Sequence, residues 1–128
     1  MQAISRDTKY VTEIKEYQIL VDTTRERGGT GEFIGPHELL EAALAACINI
    51  TLRKVAENKN IDLTGIDTKV ILNNTDPEKA IFECSIKIKG HQLIDEKTMQ
   101  ILKNAANLCA VKKTLSKEIV FVDKLEFE

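Results

Sequence analysis

Two thiols stand where a side chain could do chemistry. Cys47 closes an apolar, alanine-rich run, Gly35-Pro36-His37-Glu38-Leu39-Leu40-Glu41-Ala42-Ala43-Leu44-Ala45-Ala46-Cys47. Cys109 follows a second helical pattern, Ala105-Ala106-Asn107-Leu108-Cys109-Ala110-Val111. The thiolate is the nucleophile, so a reactive Cys47 needs a lowered pKa. A mid-helix position gains little from the helix dipole, and a neighbouring cation or hydrogen-bond donor must do the lowering. Arg25 and Arg27, in a glycine-rich stretch just upstream, are the local cations. Val111 to Leu115 can open another helical turn, which would set Cys109 near a helix start, where free N–H groups favour an anion. The alternative for both thiols is buried core. Cys84 takes an inward position of an alternating strand and reads as core.

The bulk numbers narrow the field. A chain of 128 residues suits one domain. It can bury roughly two-thirds of the surface its unfolded form exposes, so neither a disulfide nor a metal is needed to hold a core. A net charge of −2 with dispersed lysines points away from nucleic acid and from a membrane surface. No apolar run reaches the ~18 residues of a membrane span. The first residues, Met1 to Asp7, lack a signal-peptide pattern. A cytoplasmic protein is expected. Its three cysteines lack secreted-scaffold spacing. His37 and His91 make no CxxC or HxxxH pattern with them, so neither a metal nor another cofactor is expected.

The elements that must position the thiols follow from periodicity. Thr8 to Thr23 reads as strand, with Tyr10–Ile14 and Tyr17–Val21 split by Lys15-Glu16 as a hairpin. Thr24 to Gly35 holds four of the six glycines and two arginines, and reads as a loop. Loops of this length in compact domains are functional or disordered. Pro36 suits a first helical turn. From there Leu39, Leu40, Ala43, Leu44, Cys47, Ile50, Thr51 and Val55 recur at helical spacing, to about Asn58. Gly65–Thr75 and Ala80–Gly90 alternate as a strand pair around the turn cluster Asn73 to Pro77. Asp95 is a candidate N-cap for a helix with Met99, Leu102, Ala105 and Ala106 inward. Ile119 to Phe127 reads as a closing strand. The order is β-β-α-β-β-α-β, an α+β arrangement with antiparallel pairing.

These residues together resemble the OsmC/Ohr family of thiol peroxidases. The resemblance rests on a glycine loop ending in Gly-Pro-x-Glu-Leu-Leu, then Ala-Ala-Leu-Ala-Ala-Cys, then Ala-x-x-Cys-x-Val, and spans about Gly28 to Leu125. It implies antiparallel sheets with two central helices and an intertwined homodimer, with the active sites at the dimer interface. It implies that Cys47 is the peroxidatic and Cys109 the resolving cysteine. Organic hydroperoxides would be the substrate, and an external dithiol, such as a lipoylated protein, the reductant. Sulfenic acid is the first, reversible rung of cysteine oxidation, and a nearby thiol traps it before the irreversible ones.

The chain departs from the best-characterised members at one catalytic position. Where they carry a glutamate directly after the motif proline, paired with an arginine that holds the thiolate, this chain has His37, with Glu38 one residue later. On a helix that shift turns the carboxylate by about 100°. Glu38 is therefore either a catalytic acid or a first-turn acid favoured by the helix dipole. Arg27 and Arg25 are the candidate arginines, with Arg6 as an outsider, and Arg53 is expected to be solvated or at the dimer face. His37 is either exposed or a hydrogen-bonding partner near the thiol. The departure also motivates a second reading: a binding protein for a small hydrophobic molecule or an acyl thiol, with a pocket beside Cys47 lined by Leu40 and Leu44.

Overall fold

The computed structural model describes residues 1–6 and 9–128; the expected strand start at Thr8 lies outside them. Three short strands come first: β1 (Ala3–Ser5), β2 (Thr12–Ile14) and β3 (Ile19–Val21). They form an antiparallel sheet in the order β1-β2-β3, with Ala3 opposite Ile14 and Thr12 opposite Val21. A single 3-10 turn at Arg25–Arg27 leads to the long helix α1 (Pro36–Asn58). The strands β4 (Gly65–Asn73) and β5 (Ile81–Lys89) pair with each other, and α2 (Glu96–Ala106) and α3 (Ala110–Leu115) follow.

The chain divides into two compact units. One holds Met1–Ala45 and Lys69–Ser85; the other holds Ala46–Thr68 and Ile86–Glu128. The helix α1 and the pair β4–β5 each run through both. In the first unit Val11, Val21, Leu44 and Val70 are buried. In the second the buried set is Ile48, Leu52, Ala56, Leu63, Leu102, Ala105, Ala106 and Cys109.

The α+β class and the antiparallel pairing hold, with three differences of detail. β1 was not expected: its residues are all exposed, so no apolar alternation marks it, and it exists through its ladder with β2. Tyr17 and Gln18 belong to the first hairpin's turn rather than its second strand, because Ile14 pairs with Ile19 and Gln18 takes a left-handed φ of 55°. Ile119 to Phe127 forms no strand. A strand needs a neighbouring backbone, and among the described residues none pairs with this segment. Its side chains stand in the open, with Phe121 82% and Leu125 99% exposed.

The helix α1 also presents a different face from the expected one. Leu44, Ile48, Leu52 and Ala56, an i, i+4 row, are buried, while Leu40 and Ile50 are exposed. Apolar residues fall on more than one face of the helix, Leu40 and Ile50 as well as Leu44 and Ile48, so periodicity alone could not choose the inward stripe. In α2 the expectation holds at Leu102, Ala105 and Ala106, whereas Met99 is exposed. Asp95 caps α2 as expected, accepting a hydrogen bond from the Thr98 N–H at 2.8 Å.

Candidate active site

In the first unit, the glycine loop is organised by a carboxylate that carried no sequence signal. Asp22, buried at the end of β3, accepts hydrogen bonds from the Thr30 N–H at 2.8 Å, the Thr30 hydroxyl at 2.7 Å and the Thr23 N–H at 2.7 Å. The Thr30 bonds, then that of Thr23, hold the Asp22 carboxyl below the usual carboxylate range against the opposing effect of burial. Gly29 is needed for this wrapping, since a methyl there would meet the Thr23 carbonyl oxygen and the Asp22 carboxylate. Arg25 Nε donates to the Thr30 carbonyl oxygen at 2.8 Å, so this guanidinium serves the loop.

Glu38 reaches back to the start of its own helix. Its Oε1 accepts the Gly35 N–H at 3.0 Å, while the Gly35 carbonyl accepts the Leu39 N–H at 3.1 Å. This is the return half of a capping box, with the acid three residues into the helix. Glu38 also lines, with Arg25, Glu26 and Phe33, a recess of about 290 Å³. Arg27 and His37 line another of about 390 Å³ with Tyr10, Val21 and Pro36. The residues implicated around the loop are thus gathered into two recesses of the first unit. Leu40 is exposed and Leu44 lies in that unit's core.

The two thiols fall in the second unit, and they face each other. Cys47 is half-buried on α1; Cys109 is fully buried at the junction of α2 and α3, where it is the residue before α3. Burial pushes the Cys47 thiol up, but hydrogen bonds outweigh it. The Cys109 thiol, the N–H groups of Val111 and Ala110 and the Thr51 hydroxyl all favour the anion, and the net direction is down. Cys109 moves the other way: burial raises it, and the Cys47 sulfur raises it further against the N–H groups of Lys112 and Val111. The N–H groups at the start of α3 do favour an anion on Cys109, as expected, but burial and the Cys47 sulfur outweigh them and the net direction is up.

Three features of this unit had no or little sequence signal. Thr51 lies one turn beyond Cys47 and donates its hydroxyl proton to the Cys47 carbonyl at 2.8 Å. Arg53 Nη1 donates to the Leu63 carbonyl at 2.7 Å, and Asn49 Oδ1 accepts from the Thr68 hydroxyl at 2.6 Å. Arg53 is therefore a half-buried tie within its unit and not a solvated residue. These ties fix the rotation of α1 about its axis, which sets where Cys47 points. The third feature is a recess of about 510 Å³ with an apolar floor of Leu52, Ile86, Ile88, Ile94, Met99 and Leu102 and with Glu96, Gln100 and Lys103 also in its lining. Cys84 is half-buried on β5, its thiol 3.8 Å from the Phe82 carbonyl oxygen.

The site's distinguishing feature is thus two thiols of an α+β chain that act on each other's ionisation, Cys47 shifted down and Cys109 up. The family model described as OsmC-like protein matches residues 29–122, and the chain belongs to that family. Solved structures agree in fold. A Psychrobacter arcticus protein described as an osmotic stress induced and detoxification response protein is 26% identical, with a TM-score of 0.68 over 89% of this chain and 87% of that one. The OsmC like protein of Mycoplasma pneumoniae has a TM-score of 0.70 at 19% identity, over 89% and 84%. The organic hydroperoxide resistance protein OhrB of Bacillus subtilis has a TM-score of 0.61 at 22% identity, over 90% and 89%. No curated protein matches the chain. Among the described residues no helix is long and apolar enough to cross a membrane.

Proposed function

We propose that the protein is a thiol-dependent peroxidase that reduces organic hydroperoxides. The observation that carries this reading is the Cys47–Cys109 pair, in which the donors around Cys47 favour its thiolate and Cys109 keeps its proton. The Cys47 thiolate attacks one oxygen of the hydroperoxide, an S–O bond forms, the O–O bond breaks, and the alkoxide takes a proton to leave as the alcohol. Cys47 is left as a sulfenic acid. Cys109 attacks that sulfur, the S–S bond forms, and the oxygen departs as water. An external dithiol, such as a lipoylated protein, then gives two electrons and two protons to restore both thiols. The name of the Bacillus subtilis relative supports hydroperoxides as the substrate class.

The acting species in this reading is a homodimer in the cytoplasm. Apolar side chains exposed along the C-terminal segment, Ile119, Val120, Phe121, Val122, Leu125 and Phe127, support a second copy as its cover. Arg25, Arg27, His37 and Glu38 are proposed to contact substrate or steer it, with Glu38 also capping its helix.

The experiment is intact mass with peptide mapping after one equivalent of cumene hydroperoxide. The expected result is loss of two hydrogens and a Cys47–Cys109 bridge. Both thiols remaining free would end the reading. A second reading, binding of a small hydrophobic molecule or acyl thiol, is favoured by the apolar floor of the recess at Leu52, Ile88 and Met99. It expects free thiols after peroxide and saturable uptake of an apolar fluorophore, lost in Met99→Asp.

A further inference from the structure

We propose that Thr51 is a catalytic residue of the Cys47 site, a hydroxyl that turns its one hydrogen bond from the Cys47 carbonyl to the Cys47 sulfur as the thiolate forms. The inference deepens the peroxidase reading and rests on Cys47 being the reacting thiol.

The geometry begins with the helix. Side chains on an α-helix lean towards its N-terminus, so residue i+4 reaches back over residue i. Thr51 does so, its Oγ1 standing 2.8 Å from the Cys47 carbonyl oxygen. Threonine populates two χ1 rotamers in a helix, because its hydroxyl can bond the carbonyl one turn back. The hydroxyl has a single proton, so it serves the carbonyl or the sulfur, not both.

Two considerations decide which acceptor takes that hydrogen bond when Cys47 ionises. The Cys47 carbonyl lies inside α1, where the Thr51 backbone N–H already bonds it in the regular i to i−4 pattern. Releasing the hydroxyl leaves no acceptor unsatisfied. A hydrogen bond to an anion is roughly twice as strong as one between neutral groups. The neutral thiol leaves the hydroxyl's hydrogen bond with the carbonyl, and the thiolate draws that bond over.

The other groups directed at the sulfur are the Cys109 thiol and the N–H groups of Ala110 and Val111, all from the α2–α3 junction. Cys109 is the one among them that titrates. The N–H groups are fixed and Cys109 must later attack Cys47. Thr51 is the donor that is not consumed by the cycle and can turn.

The test is the pH dependence of Cys47 alkylation by iodoacetamide, read at the Cys47 peptide. It is run on the intact chain and on Thr51→Val, Thr51→Ala and Thr51→Ser. The apparent midpoint should rise by about one unit in Val and Ala, the size expected for one hydrogen bond to a charged group. Below the midpoint that is about tenfold less thiolate. Thr51→Ser should stay near the parent. A hydroxyl that only braced the helix would leave every midpoint in place. Equal midpoints in Val, Ala and the parent, with the parent low, overturn the Thr51 role while leaving Cys47 intact. A parent midpoint at or above the ordinary thiol value near 8.5 overturns both. If Thr51→Val loses its fold by circular dichroism, Thr51→Ala decides.

Discussion

Cys47 and Cys109 act on each other's ionisation: the Cys109 thiol favours the Cys47 anion, while burial and the Cys47 sulfur raise Cys109. In the proposed two-thiol cycle the resolving cysteine is needed only after the first oxidation; the contact would give Cys109 an earlier task. Cys47→Ser should abolish peroxide consumption. Cys109→Ser should consume one equivalent to form the Cys47 sulfenic acid and a second as Cys47 is driven on to sulfinic acid, then stall; intact mass reads the end point as two added oxygens. Full turnover by Cys47→Ser would remove Cys47 from the mechanism.

The same contact has a pH signature whose sign is fixed. A pKa lowered by donors means Cys47 becomes thiolate at a lower pH than an ordinary thiol near 8.5. Cys109, raised by burial and by the Cys47 sulfur, ionises above it. As pH climbs, a small alkylating agent should label Cys47 well before Cys109. Replacing the donor should undo part of this. In Cys109→Ala the Cys47 midpoint should rise, and in Cys109→Ser, which keeps an O–H, it should rise less. The two sites titrate as a pair, so the values compared are apparent ones. Labelling of Cys109 first would contradict the arrangement.

Glu38 gives a way to separate capping from chemistry. Its Oε1 bond to the Gly35 N–H closes the start of α1. Glu38→Gln keeps an acceptor, and Glu38→Ala loses it at about 1 kcal/mol, measured by urea denaturation. If Glu38 also takes part in the reaction as an anion, Glu38→Gln should slow peroxide reduction at least tenfold without a matching loss of stability. Unchanged turnover in Glu38→Gln would leave the residue with the cap alone.

The glycine loop should fail in acid through one carboxylate. Asp22 has a folded pKa below its unfolded value, because Thr30 and Thr23 donate to its anion. Such a group contributes stability above the unfolded value, near 3.9, and that contribution is lost as pH falls through the lower folded one. Asp22→Asn should lower stability at neutral pH and flatten its acid dependence. Gly29→Ala should cost more than about 1 kcal/mol, since the new methyl has no room beside the Thr23 carbonyl. Acid unfolding of Asp22→Asn that matches the parent curve would assign the loop's integrity elsewhere.

What could be read from the chain was local. Pro36 and the run to Asn58 mark α1, Asp95 marks the start of α2, and the alternation from Phe82 to Ile88 marks β5, because each signal is complete within a few residues. Cys47 and Cys109 stood out for the same reason. The inward face of α1 did not, because apolar residues fall on more than one face of that helix and only its neighbours choose between Leu40 and Ile48. Asp22 looked like any acid at a strand end until the loop folded over it. Thr51 passed for one more residue of an apolar stripe, since its function lies in a proton and not in its hydropathy. The Ala110 and Val111 donors are backbone, and sequence does not name what a backbone N–H points at.

The segment from Ile119 to Phe127 has strand chemistry without a strand, and that asks for a partner. β-branched and aromatic residues dominate it, yet Phe121, Val122, Leu125 and Phe127 are all more than four-fifths exposed. Exposed contiguous apolar surface of this kind marks an interface, and an extended chain with free N–H and C=O groups pairs readily with a sheet edge. Light scattering on the eluting protein should give twice the chain's 14.4 kDa. Phe121→Glu, which places a charge in the middle of the segment, should shift the population towards one copy at low micromolar concentration. Peroxide reduction should fall with it if the sites need both chains. A wild-type mass of one chain would remove the second copy as the cover for this segment. A dimer untouched by Phe121→Glu would move the interface to the exposed face of α1 around Leu40 and Ile50.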